Sequence, residues 1–378
     1  VATCLAAAIG CFIMGFVANY PIALAPGMGL NAFFTYGVVL GMGHTWQAAL
    51  GAVFLSGILF FLLSIFKVRE WVINTIPNSL KLGIAAGIGA FLGLIALKSA
   101  GIIVANPATL VSLGDLTQIT PLLSILGFFL ICAAYKRVTG GVIIVILIIS
   151  FIGWLIGDVE YQGIVSVPPS VSPTFMQMDL AAAFDIAMIS VIFAFLFVDL
   201  FDTSGTLIAV TQKAGLTDTQ GNIPRLGKAL TADSVATIAG AGLGTSTTTS
   251  YVESAAGVAA GGRTGLTAVT VGVLFLLATF FAPIAGAVPV YATAGAIFYV
   301  AILMMENLGK VDWSELTDAV PVAVVVLMTP LTFSIAHGIA LAFISYTVVK
   351  LLTGRHKEVS ISVWFLTILF VIKIGFFR

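Results

Sequence analysis

The chain has 378 residues, of which 60% are hydrophobic and 8% charged, and its formal net charge is zero. A soluble domain carries about 25% charged residues, and a chain of this size cannot hide so much apolar surface from water. A water-soluble protein is therefore excluded, and nothing in the charge balance suggests a nucleic-acid surface.

Apolar runs about long enough for a bilayer core of roughly 30 Å begin at the first residues. The run 3–20 starts beside Val1 at the edge of an already apolar stretch, which predicts a further span upstream. The next, 26–41, is short and rich in small and polar residues, and Pro21 and Pro26 fix extended geometry at its start. Runs 46–66, 79–98, 122–134 and 139–157 follow, then 184–206. The runs 229–243 and 248–261 are again short and polar, which points to broken or half-helical segments. Runs 265–283, 290–306, 318–334, 336–352 and 360–376 complete the chain. The last does not fit a simple alternation: either it lies along the interface or 318–352 is one element wrongly divided.

Charge gives the orientation. If 67–78 is cytoplasmic and sides alternate, 13 of the 16 Lys and Arg fall inside, among them Arg225, Arg263, Lys310, Lys350 and Arg355. Only Lys98 is clearly outside, and the outer loops 99–121 and 158–183 are acidic or neutral. This is the positive-inside pattern.

Two stretches echo each other about 222 residues apart. PGMGLNAFFTYG (Pro26 to Gly37) and TTSYVESAAGVA (Thr248 to Ala259) each begin small and polar and then turn apolar, with Asn31 opposite Glu253. Seven spans separate equivalents, and an odd unit must insert upside down relative to its twin. Inverted repeats of this kind place substrate near mid-membrane, where helices are interrupted.

Carboxylates at bilayer depth are costly and are retained where they act. Asp199 and Asp202 lie three apart in IFAFLFVDLFDTSG, so they share a helical side. Asp202 reads as a proton or substrate group, with structural pairing as the alternative. Asp199 reads equally as a coupling group or an orienting one. Glu253 follows the run Thr245 to Ser250, too polar for a lipid-facing helix, which predicts a short strand feeding a half-helix. Its carboxylate can accept N–H groups from a planar base or cap its own helix. Asn31 offers donor and acceptors to a heterocycle edge or a backbone cap. Thr249 belongs to the polar run, and Phe33, Phe195 and Tyr251 are candidates to stack on a flat ring, although most of the 28 phenylalanines must be packing. Asp233 is read as heading a span, with gating or capping both open. Cys4, Cys11 and Cys132 share no metal-ligand spacing and read as small core residues. With no phosphate-cradling motif and no nucleophile–base set, the reading is secondary transport and no enzyme.

The stretches ANYPIALAPGMGLNAFF (Ala18 to Phe34), NTIPNSLKLGI (Asn74 to Ile84), LFDTSGTLIAVTQKAGL (Leu200 to Leu216) and TSTTTSYVESAAGVAAGGRTGLTAVTVG (Thr245 to Gly272) resemble the AzgA-like purine permeases of the nucleobase–cation symporter superfamily. The resemblance implies an all-α membrane fold of two inverted seven-span repeats, 1–157 and 184–376, with short antiparallel strands in two broken spans. It also implies a core domain of about 1–66 plus 184–283 and a gate domain of about 79–157 plus 290–376. The implied activity is proton symport of a purine base, in a multi-pass inner-membrane protein, with the proton as coupling ion and no other cofactor. Glu253 matches the family carboxylate that contacts the base, Asp202 the acidic residue tied to binding or coupling, and Asn31 a polar residue of the third span. Thr206 stands where some distant relatives have histidine, which argues against a histidine relay. APGMGLNAFF and VANP (Val104 to Pro107) look more like adenine permeases than guanine–hypoxanthine ones. A homodimer is a further expectation, and an uncoupled channel or facilitator remains the alternative of another class.

Overall fold

Long runs of Ala, Gly, Leu and Ile with almost no charge satisfy their backbone best as helices, the economical solution in lipid. The computed structural model describes residues 1–65, 76–134, 137–138, 140–159, 163–217, 223–251 and 253–376. Helix α1 (Ala2–Ile13) continues as a π-helical turn over Met14–Ala18. It stops at Asn19, which adopts φ 53° ahead of Pro21. Strand β1 (Leu24–Pro26) leads into α2 (Met28–Ala32), which widens into a π-helix over Phe33–Val39. Helices α3 (Trp46–Ile65) and α4 (Asn78–Ser99) follow. A hairpin of β2 (Ile103–Asn106) and β3 (Leu110–Leu113) then precedes α5 (Ile119–Ala134) and α6 (Gly141–Leu155).

The second half repeats the order. A short α7 (Leu180–Ala183) precedes α8 (Ile186–Ala214) and α9 (Leu226–Leu243). Gly244 ends α9 in the left-handed region at φ 95°, a glycine-dependent stop. The β-branched run behind it extends into β4 (Thr248–Ser250), followed by α10 (Ser254–Ala259) and α11 (Gly265–Ala278). A short α12 (Ala282–Gly286), α13 (Val290–Met305), α14 (Leu316–Leu331), α15 (Ile335–Leu352) and α16 (Ile361–Phe376) close the chain.

Packing is paired in a way that mirrors the repeat. Helix α1 packs on α9 and α11, while α9 packs on α1 and α3. Helix α4 packs on α13 and α14, while α13 packs on α4 and α5. Exchanging α1 with α9, α3 with α11, α4 with α13 and α5 with α14 maps each set of contacts onto the other. Small residues permit these approaches: a side chain at Gly265 would overlap the Gly15 carbonyl, so α11 and the end of α1 touch backbone to backbone.

Two features differ from the sequence reading. The β2–β3 hairpin was not anticipated, although its signal is local: β-branched residues (Ile102 to Val104, then Thr109 and Val111) flank Asn106–Pro107, and the Asn106 side chain accepts from Ala108 N at 2.8 Å to close the turn. The division of 318–352 is real, because α14 and α15 are joined by a tight turn whose Ser334 side chain accepts from His337 N. Consequently 361–376 is a helix of its own. It is tied to α15 by a Thr347–Thr367 hydroxyl bond of 2.7 Å and reaches α8 through Phe370 against Phe197.

Opposite charges gather where α14 starts and α15 ends. Glu315 and Asp318 at the start of α14 meet Arg355, just beyond α15, and Lys350 in its last turn, respectively. Glu358 joins both cations, at 2.8 Å from Lys350 and 2.6 Å from Arg355. The Arg355 hydrogen bond, followed by bonds from Thr317, holds the Glu315 carboxyl down to about 2, and Arg355 with Lys350 does the same for Glu358. A carboxylate with a depressed folded-state value contributes stability that is complete above its unfolded value of about 4.3 and is lost as pH falls through the folded value. We expect the melting temperature of the purified protein to lose this cluster's contribution between about pH 4.5 and 2. Arg355→Ala should have a lower melting temperature at neutral pH and a flatter profile in that window. Parallel curves for the two proteins would rule the cluster out as a stabilising clamp.

Candidate functional site

Strands β1 and β4 come from segments more than two hundred residues apart and cross as an antiparallel pair, with Leu24 opposite Ser250, Ala25 opposite Thr249 and Pro26 opposite Thr248. The pair is extended at both ends by Tyr251 N to Ala23 O and Gly27 N to Thr247 O, each 3.0 Å. Three-residue strands cannot hold themselves together, and these are fixed by side chains. Ser246 donates to the Asn31 amide oxygen, the Tyr251 hydroxyl donates to Pro26 O, and Ala23 N donates to Ser254 Oγ at 3.0 Å. The two broken spans are thereby stitched at their crossing, with α2 leaving on one side and α10 on the other.

Beneath β4 lies a fully buried carboxylate, Asp233 of α9. It accepts from Ser250 N at 2.8 Å, from Ser250 Oγ at 2.9 Å and from Thr203 Oγ1 at 2.9 Å. Thr203 also contacts Thr249 Oγ1 at 2.7 Å, and Thr237 donates to Thr248 O at 2.9 Å. The hydroxyls of Thr203, Thr237, Thr249 and Ser250 order the strand and α8 around Asp233, whereas those of Thr247 and Thr248 are buried without a partner among the described residues. The sequence reading put Asp233 at the head of a span. In the structure the helix begins at Leu226, so Asp233 sits two turns inside it.

The predicted site residues separate into two groups. Asp202 and Glu253 are accessible, although Asp199, Thr203, Ser204 and Thr206 around Asp202 are buried. They lie in one another's electrostatic field, with Asp233 acting on Asp202 as well and Tyr251 feeling both. Glu253 occupies the turn immediately before α10 rather than its first turn. Asn31 is partly accessible in α2 at the other side of the crossing. Asp199, by contrast, is buried against Thr203, so the two carboxylates of α8 have different surroundings. Phe33 and Phe195 are both fully buried and pack on each other, with ring centroids 5.2 Å apart and planes tilted by 60°. Thr249 is sealed into the Asp233 layer, while Tyr251 stays partly accessible.

Gly29 brings this site against the other helices, since a side chain there would stand 2.6 Å from Ile88 Cγ2 of α4. Two broken spans that cross at their strands and are approached by a second helix group suit a transporter site. A family model described as "Permease family" matches residues 1–341. The chain belongs to this permease family. It is 52% identical over its whole length to adenine permease AdeP of Escherichia coli strain K12, covering 85% of that protein. It is 48% identical to the guanine/hypoxanthine permease PbuG of Bacillus subtilis strain 168, over 100% of this chain and 86% of that one. Among solved structures it resembles the transmembrane domain of the cyanobacterial bicarbonate transporter BicA at a TM-score of 0.68 and 16% identity, covering 89% of this chain and 88% of that one. The permease is thus a multi-pass, mostly helical membrane protein with the seven-plus-seven inverted-repeat fold and short antiparallel strand pairs, as the AzgA-like motifs of its sequence anticipate. It is a transporter, not an enzyme.

Proposed function

We propose that the permease carries a purine base, adenine by preference, into the cell together with a proton. The observation that supports this reading is the proximity of two accessible carboxylates, Asp202 and Glu253, beside the strand crossing whose other broken span carries Asn31. A purine presents ring and exocyclic N–H donors beside ring-nitrogen acceptors. Glu253 accepts the donors and Asn31 meets the mixed edge. Asp202 exchanges the proton. The names of the relatives AdeP and PbuG support a purine, and the higher identity to AdeP supports adenine. In this reading the core domain, 1–66 with 184–283, moves against the gate domain, 79–157 with 290–376, and exposes the site to each side in turn.

The test is uptake of labelled adenine by cells lacking purine carriers, competed by unlabelled adenine, hypoxanthine, guanine or uracil, with and without a protonophore. Accumulation blocked by adenine and abolished by the protonophore is the expected result. Block by hypoxanthine and guanine instead would overturn the substrate preference, and protonophore-insensitive entry would point to an uncoupled facilitator. Glu253→Gln turns an ionic acceptor into a neutral amide. Hydrogen bonds to charged groups contribute about 1.5–3 kcal/mol, so the KM for the base should rise roughly 10- to 150-fold. An unchanged KM would remove Glu253 from the substrate contacts.

A further inference from the structure

The strand crossing has outer edges as well as an inner seam, and in a membrane those edges must find partners. Residues 23, 25 and 27 of the first broken span face residues 251, 249 and 247 of the second. By the alternation of an antiparallel ladder, the N–H and C=O of Leu24 and the C=O of Pro26 therefore point outward on one side. Thr248 and Ser250 point outward on the other. On the β4 side the caps are Thr237 on Thr248 O and Asp233 on Ser250 N. On the β1 side Pro26 has no N–H to satisfy, and its carbonyl takes the Tyr251 hydroxyl. Among the described residues, Leu24 is left to a single side chain, Cys11 of α1. Leu24 N donates to its sulfur at 3.2 Å, and its thiol donates back to Leu24 O at 3.4 Å.

Cys11 lies 222 residues before Asp233, the same offset that relates Asn31 to Glu253. The helices α1 and α9 that carry the two residues are exchanged by the repeat and pack on each other. Both side chains are fully buried. We infer that Cys11 is the first-repeat counterpart of Asp233, a positioning residue that clamps β1 through both backbone groups of Leu24 and thereby sets where α2 presents Asn31. A thiol suits this edge because it supplies one donor and one acceptor at once, which a strand residue with both groups free requires. The β4 edge, with an N–H and a hydroxyl to satisfy at Ser250, calls for a pure acceptor. The inversion has kept the clamp and changed its chemistry to match the strand it holds.

The inference rests on the transport reading for its activity arm and on backbone protection alone for its other arm. Cys11→Ala removes donor and acceptor, Cys11→Val does so while filling the space, and Cys11→Ser restores both groups on a shorter side chain. Cys4→Ala, on the same helix, is the control. For the base that the wild-type protein takes up, the Ala and Val variants should show KM raised about tenfold, equivalent to about 1.4 kcal/mol, with the maximal rate per inserted transporter much less affected. The Ser and Cys4→Ala variants should stay near the wild-type KM. In purified protein, hydrogen exchange of the Leu24 amide should accelerate in the Ala and Val variants and remain protected in the Ser variant. Wild-type KM and protection in Cys11→Ala would overturn the inference, as would equal loss in the Ser and Ala variants. Should Ala and Val both fail to reach the membrane, Cys11→Ser decides by exchange alone: kept protection supports the clamp, and lost protection with normal uptake refutes it. A wild-type chain that takes up no purine would sink the proposed function while leaving the exchange result to decide the clamp.

Discussion

Asp233→Leu is expected to abolish measurable uptake while the protein still inserts in the membrane. Leucine keeps the branching of aspartate in a larger volume but offers no acceptor, so Ser250 N, Ser250 Oγ and Thr203 Oγ1 lose the carboxylate that they share in wild type. An unsatisfied buried donor costs about 1–3 kcal/mol, and here three donors would compete for partners around a two-stranded ladder with little stability of its own. The strand then has every reason to leave its register, taking with it Tyr251 and Glu253. Asp233→Asn should be far milder, because its oxygen can serve Ser250 while the Thr203 hydroxyl turns to accept from the new amide. Initial uptake rates, normalised to transporter in the membrane, separate the two. Asn and Leu variants of equal activity would show that the carboxylate does not organise the site.

Asp202→Asn is expected to lose accumulation but not recognition. An amide keeps the size and polarity of the side chain and can neither take up nor release a proton. The Asp202 side chain is accessible, whereas Asp199 and Asp233 are buried in hydrogen bonds. Of the three it is therefore the one placed to exchange a proton with the aqueous phase during a cycle. In proteoliposomes with an imposed proton gradient the Asn variant should fail to concentrate the base. It should still exchange labelled for unlabelled base across the membrane without a gradient, and the base should compete with normal affinity. An Asn variant that concentrates the base and dissipates the proton gradient would remove Asp202 from coupling and shift the role to Glu253.

These two residues show how differently information reaches a reader of the sequence. Asp202 and Glu253 are conspicuous because each is a carboxylate inside an apolar run, and the cost of such a group is a local property. Asp233 was visible for the same reason, but its role depends on a strand 15 residues downstream and a threonine 30 residues upstream. No periodicity reports that pairing. Phe33 and Phe195 were candidates by ring chemistry alone, and only packing brought them into contact with each other inside the core.

The sequence by itself determined that the chain lives in a membrane, where most of its helices lie, that two segments are broken, and that the halves are inverted copies. Each of these follows from hydropathy, charge or repeat spacing along a contiguous stretch, where the lipid environment leaves few solutions. Tertiary structure alone decided which residues the crossing strands use, which helices clamp their edges, and how Glu315, Arg355 and Glu358 draw the ends of α14 and α15 together. Those outcomes depend on register and approach between segments remote in the chain, and two strands of three residues acquire a register only from the helices packed around them.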